Sequence, residues 1–135
     1  ARVMLLAICG QESSWTERVQ KPVGFAHGFA QFEKNGGVKG VLNHPSTKAV
    51  AKILCDNYGI PTTPDAVWNI LATPAGDNLA IGFARLLLFS DPKPLPKAGD
   101  ELTSYNYYLR NWRPGAPSAP RWHTVYQKSI KVVPL

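Results

Sequence analysis

The stretch GDNLAIGFARLLLF, residues 76–89, constrains the fold more than any other part of the chain. Wound as a helix, it is apolar over most of its circumference, so neighbours must cover it on most sides. It is too short to cross a membrane, which takes about 20 apolar residues, and no other run comes closer to that length. The remaining sequence must therefore supply the elements that wrap this helix. The whole chain has 135 residues, 44% hydrophobic and 18% charged, the balance of an ordinary globular protein with enough length for its own core.

The wrapping elements read as helices separated by turns. Residues 2–14 carry an apolar stripe at Val3, Leu6, Ala7 and Ile8, widened by Met4 and Leu5. Ser46 is placed to cap a helix over 47–58, with Val50, Ile53, Leu54 and Tyr58 inward and Gly59 as its stop. In TTPDAVWNIL, Thr63 is a cap and Pro64 takes the first helical position. Three prolines in DPKPLPKAG make 91–99 a loop, after which Asp100 caps a helix running to Trp112. A last helix starts near Ser118 and carries Trp122, Val125, Tyr126 and Ile130. Residues 15–47 are irregular, broken by Pro22, Gly24, Gly28, the NGG at 35–37, Gly40 and Pro45. Inside them only FAQF and GVKGVL can form brief strands or single helical turns. The expectation is one mainly α domain over 1–135 with little or no sheet. The chain does not begin with Met, and is read as a trimmed or partial product.

The segment ICGQESSW poses a chemical question. An apolar run leads to one acidic residue, Glu12, where the helix ends. A carboxyl at the end of a half-buried helix is poorly solvated, and the negative end of the helix dipole also favours its neutral form. A carboxylic acid kept protonated near neutral pH is what protonation of a glycosidic oxygen requires. The plain alternative is a solvated glutamate at a helix end.

Three short motifs in order bear on the choice. ESSW resembles the Glu-Ser motif that ends the catalytic helix of goose-type lysozymes and family-1 lytic transglycosylases. HGFAQFE stands where those families carry Gly-Leu-Met-Gln, with Gly28, Phe29, Ala30 and Gln31 in the corresponding places. TSYNYYLRNW offers Ser104, Tyr105 and Asn106 for their Ala-Tyr-Asn motif. The chain departs from the pattern in having Phe-Ala for Leu-Met and no glycine after Asn106. The resemblance is to a lysozyme-like superfamily, and the chain also looks like phage-encoded proteins with such a domain. It implies a lysozyme-like fold with a catalytic cleft and cleavage of the β-1,4 bond between N-acetylmuramic acid and N-acetylglucosamine in peptidoglycan. It makes Glu12 the general acid. Ser13, Gln31, Tyr105 and Asn106 become substrate-binding residues, with Tyr105 steadying the catalytic carboxylate. Goose-type lysozymes place a water-activating Asp two residues after the motif Gln, whereas transglycosylases usually lack it and let the sugar's 6-hydroxyl attack. Glu33 holds that position here, so it is either a second catalytic carboxylate or a solvent-facing charge beside Lys34.

The implied partner is a peptidoglycan glycan strand, with other virion proteins as further candidates, and the implied place of action is the bacterial periplasm or cell wall. No cofactor is implied. Fifteen Lys and Arg against nine Asp and Glu give a net charge of +6, suited to polyanionic surroundings. Basic residues are dispersed, which argues against a nucleic-acid tail. Arg110 and Arg113 flank Trp112 and can meet peptide-stem carboxylates or serve as basic surface. His27 and His44 lack partners at ligand spacing, so a metal site is not expected. Cys9 and Cys55 read as two buried thiols, and a Cys9–His27 dyad stays open. Tyr108 and Trp112 read as core. Two rivals remain: a non-catalytic structural or glycan-binding virion component, and a nucleic-acid binder using YNYYLRNWR.

Overall fold

A computed structural model describes residues 1–21 and 24–133; Pro22 of the irregular stretch lies outside them. Seven α-helices are found among the described residues: α1 Arg2–Ser13, α2 Lys39–Asn43, α3 Lys48–Asn57, α4 Pro64–Leu71, α5 Asp77–Ser90, α6 Glu101–Trp112 and α7 Ala119–Val132. The sheet among the described residues is one antiparallel hairpin, β1 Ala26–His27 with β2 Phe32–Glu33, pairing Ala26 with Glu33 and His27 with Phe32. The protein is mainly α, as its sequence leads one to expect.

The central helix is α5. It touches α1, α2, α3 and α4 and buries Leu79, Ala80, Phe83, Ala84, Leu86 and Leu88. Its apolar circumference is not fully covered: Phe89 is 57% exposed. The caps of the later helices fall where their side chains can reach. Thr63, Asp100 and Ser118 accept hydrogen bonds from the N–H groups of Ala66, Thr103 and Arg121 at 3.3, 3.1 and 3.3 Å.

Two expectations for α3 are corrected. Thr47, not Ser46, is its N-cap residue; the Thr47 hydroxyl donates to the Val41 carbonyl at 2.7 Å, and Ser46 turns its own hydroxyl to His44. Ala51 and Cys55 are the buried residues, while Val50 and Ile53 face solvent. The reason is spacing. Ala51 and Cys55 lie about 40° apart around the helix, whereas Val50 and Ile53 stand about 100° or more from either, so the face that buries the small pair turns the larger two out. A Cβ built on Gly82 of α5 would stand 3.1 Å from the end of the Leu54 side chain, so Leu54 reaches α5 as its place in the apolar stripe leads one to expect.

The irregular segment holds more order than its composition suggests. FAQF forms the hairpin loop and the first residue of β2. GVKGVL is helical: a wide turn over Lys34–Val38, broken at Gly36, runs directly into α2. Cys9 and Cys55 are both buried free thiols. No helix among the described residues is long and apolar enough to cross a membrane.

An aromatic column joins the hairpin to the last two helices. Phe32 meets Trp112 at 6.0 Å between ring centroids, Trp112 meets Tyr108 at 6.2 Å, Tyr108 stacks on Trp122 at 4.9 Å, and Trp122 meets Tyr126 at 5.9 Å. Such contacts add to the burial of each ring and fix the rotation of α6 about its axis. That rotation decides which α6 residues reach the end of α1.

Candidate functional site

Helix α1 ends because Ser14 and Trp15 both adopt left-handed backbone conformations, at φ 53° and 60°. The turn folds the Trp15 indole back along the helix, where its Nε1 donates to the Leu6 carbonyl at 2.8 Å. A Cβ on Gly10 would come within 2.4 Å of that ring, so glycine is what lets the indole lie there. The last carbonyls of α1 accept from the turn's own N–H groups, Ser14 to Gly10 at 3.0 Å and Trp15 to Cys9 at 3.4 Å, and side chains add further donors. The Ser13 hydroxyl donates to Cys9 at 2.7 Å. Arg121, from the start of α7, donates through Nε to Gln11 at 3.0 Å and through Nη2 to Gly10 at 3.1 Å and to the Ser14 hydroxyl at 2.8 Å.

Glu12 projects from this anchored end. Tyr108 of α6 donates its hydroxyl proton to Glu12 Oε1 at 2.6 Å. Burial raises the Glu12 pKa above the usual glutamate value, opposed by the Tyr108 hydrogen bond and by the charge of Arg121. The nearby Cys9 thiol is pushed up to about 12 by burial and by the Glu12 charge, which makes it inert as a nucleophile.

Glu12 opens onto a groove of about 930 Å³, whose walls include Ser13, Gln31, Phe32, Glu33 and Trp112. The hairpin supplies one side. Its loop turns through Gly28 at φ 78° and Gln31 at φ 53°. The Gln31 amide donates to Gly28 at 2.9 Å and more distantly to Glu17 at 3.4 Å. Its N–H groups thus brace the loop and leave only the amide oxygen for a ligand. The segment before the hairpin is tied to the N-terminus of α5 by Arg18, which clamps Asp77 with two hydrogen bonds of 2.8 and 2.9 Å. Trp112 holds the other end of the loop, donating from Nε1 to the Ala30 carbonyl at 2.9 Å.

Four of the six site residues expected from the sequence, Glu12, Ser13, Gln31 and Glu33, line this groove. Tyr105 and Asn106 do not. Tyr105 packs against Trp122 at 5.7 Å, and Asn106 is exposed to solvent. The correction follows from helical rotation. With the aromatic column setting α6, Tyr108 faces Glu12, and Asn106 lies about 200° away around the helix. The tyrosine that bonds the Glu12 carboxyl is thus Tyr108, one turn after Tyr105. Tyr108, read as core, is buried and also makes this contact.

Sequence reading missed two other residues. Glu17 lines the groove, paired with Lys21 at 3.2 Å. Arg121 serves the end of α1 from more than a hundred residues away. Its one sequence signal is a cation in the first turn of its own helix, where the dipole disfavours it unless it has a partner elsewhere.

The histidines are engaged elsewhere. His27 stacks on Trp68 at 3.7 Å and its Nδ1 bonds the Trp68 carbonyl at 2.7 Å, so the dyad with Cys9 does not form. Among the described residues no group of three or more His, Cys, Asp or Glu could hold a metal ion. No protein-family model, curated protein or solved structure matches the chain.

Proposed function

We propose that the groove binds a peptidoglycan glycan strand and that the protein cleaves its β-1,4 bond between N-acetylmuramic acid and N-acetylglucosamine, with Glu12 as general acid. The observation that carries this reading is a half-buried carboxyl of raised pKa, held by Tyr108, at the wall of an open groove of about 930 Å³. An acid sealed in a core could not meet a substrate, and a fully solvated one would be ionised at neutral pH. Aromatic and polar groove walls also suit a glycan, whose rings present apolar faces and hydroxyl edges. The resemblance of ESSW and HGFAQFE to lysozyme-like motifs points the same way.

Glu12 would protonate the leaving oxygen as the bond breaks. Glu33, exposed on the same groove, is the group that would activate water in an inverting hydrolysis, which takes two carboxyls about 6.5–9.5 Å apart. Without its participation, attack by the sugar's own 6-hydroxyl would give a 1,6-anhydro product, with Glu12 serving next as base.

The test is mass spectrometry of fragments released from purified peptidoglycan. Reducing ends indicate a hydrolase and anhydro ends a transglycosylase. Glu12→Gln should lower release by roughly 10²-fold or more while leaving the fold intact. Retention of more than about a tenth of the turnover would remove Glu12 from the role. Glu33→Gln should cut hydrolysis by about tenfold or more if Glu33 activates water, and leave rate and products alone if it does not.

A further inference from the structure

The groove is lined by cations that glycosidic chemistry does not use. Arg110 lines it, with its side chain 40% exposed, and its Nε donates to Asp91 at 2.7 Å. Asp91 is almost completely buried, its side chain only 2% exposed. That carboxylate is further held by Asn111 Nδ2 at 2.8 Å and by the Lys93 N–H at 2.9 Å. The guanidinium lies over the Tyr107 ring at 4.8 Å. Tyr107 is fixed in turn by donating its hydroxyl to Leu88 and Lys93, both at 3.0 Å.

This is an asymmetric pair. One partner is buried and triply hydrogen-bonded, and the other is held by a single nitrogen at an open groove. Its two Nη groups have no hydrogen-bond partner among the described residues. They form the planar fork that matches a carboxylate with two parallel hydrogen bonds. The other groove cations are placed differently. Arg121 is committed to the carbonyls of α1, Lys21 pairs with Glu17, and Arg113 has no hydrogen-bonded anchor among the described residues. Arg110 is the cation whose orientation is set in advance, so little side-chain freedom is lost when a ligand arrives.

We propose that Arg110 forms a carboxylate-binding subsite in the wall of the groove, and that it takes an acidic group on the peptide stem of the glycan. The proposal rests on the glycan reading of the groove and adds a substrate class to it: strands that still carry their stems. Asp91 acts as the positioning residue, and Asn111 holds Asp91 in place.

Calorimetric binding to the full-chain Glu12→Gln protein separates the two ideas, because no cleavage intervenes. The probes are a peptidoglycan tetrasaccharide with its peptide stems and the same tetrasaccharide after amidase removal of the stems. The stem-bearing ligand should bind about tenfold or more tightly, the effect of one charge-assisted pair. Adding Arg110→Gln with Asp91→Asn removes both charges together, and should bring the two ligands within about a factor of two. Adding Arg110→Lys alone keeps a charge beside Asp91 and should lose part of the preference, a check that needs no neutralised pair. Equal binding of both ligands before any change at Arg110 overturns the subsite and leaves the glycan reading standing. A preference that survives both changes at 110 overturns the assignment to Arg110. Binding of neither ligand overturns the glycan reading and the subsite with it.

Discussion

At the scale of single residues, the protonation of Glu12 reflects a contest between desolvation and two stabilising neighbours. Burial favours the neutral acid, while Tyr108 and Arg121 favour the carboxylate, and burial prevails. Tyr108→Phe keeps the ring on Trp122 but removes the proton that Oε1 accepts. Its Glu12 pKa should therefore rise further, readable by carboxyl-carbon NMR titration. The same contest has a stability consequence. Because the folded pKa lies above the unfolded value near 4.3, Glu12 has no effect on stability well below pH 4, where both states are protonated. As pH climbs toward the folded value the unfolded chain ionises first, and stability is lost until both states are charged. Glu12→Gln should thus match the parent in thermal stability at pH 3. It should exceed it at pH 7, by about 1.4 kcal/mol for each unit separating the two pKa values. A parent more stable than the variant at pH 7 would contradict the assigned direction.

At the scale of elements, two helical glycines make opposite predictions. Alanine is favoured over glycine inside a helix by about 1 kcal/mol. Gly40 in α2 has nothing within 4 Å of where a Cβ would stand, so Gly40→Ala should stabilise by roughly 0.5–1 kcal/mol in urea unfolding. Gly10 in α1 has the Trp15 ring at 2.4 Å. Relief there means moving an indole that is hydrogen-bonded to Leu6, so overpacking of about 1–3 kcal/mol outweighs the propensity gain. Gly10→Ala should destabilise, and it should disturb the turn that presents Glu12. Composition alone treats these glycines alike; the packing around each separates them.

At the scale of the molecule, acid stability should follow Asp91, which links the loop after α5 to α6. Burial works against its charge, but hydrogen bonds from Arg110, the Lys93 N–H and Asn111 outweigh it and hold the pKa below the usual aspartate value. A depressed carboxylate contributes its full stability above the unfolded pKa near 3.9 and loses it as pH falls through the folded value. Asp91→Ala should therefore cost about 1–3 kcal/mol at pH 7, since three donors lose their acceptor. The cost should shrink below pH 3, as measured by denaturant titration at both pH values. An unchanged difference across that range would show that the ion pair is not its source.

The helices, the caps at Thr63 and Asp100, the start of the last helix near Ser118, and the mainly α class were legible in the sequence because they depend on neighbours three or four residues away. The same holds for Glu12 at the end of an apolar helix. What the sequence could not determine is rotation. Whether Tyr105 or Tyr108 meets Glu12, or whether Val50 or Ala51 is buried, differs by a fraction of a helical turn. Those choices were made by the aromatic column and by the seating of Leu54 on α5 at Gly82. The hold of Arg121 on α1 and of Arg110 on Asp91 likewise depends on which elements fold side by side, because a hydrogen bond of 3 Å between distant segments leaves no periodic trace along the chain.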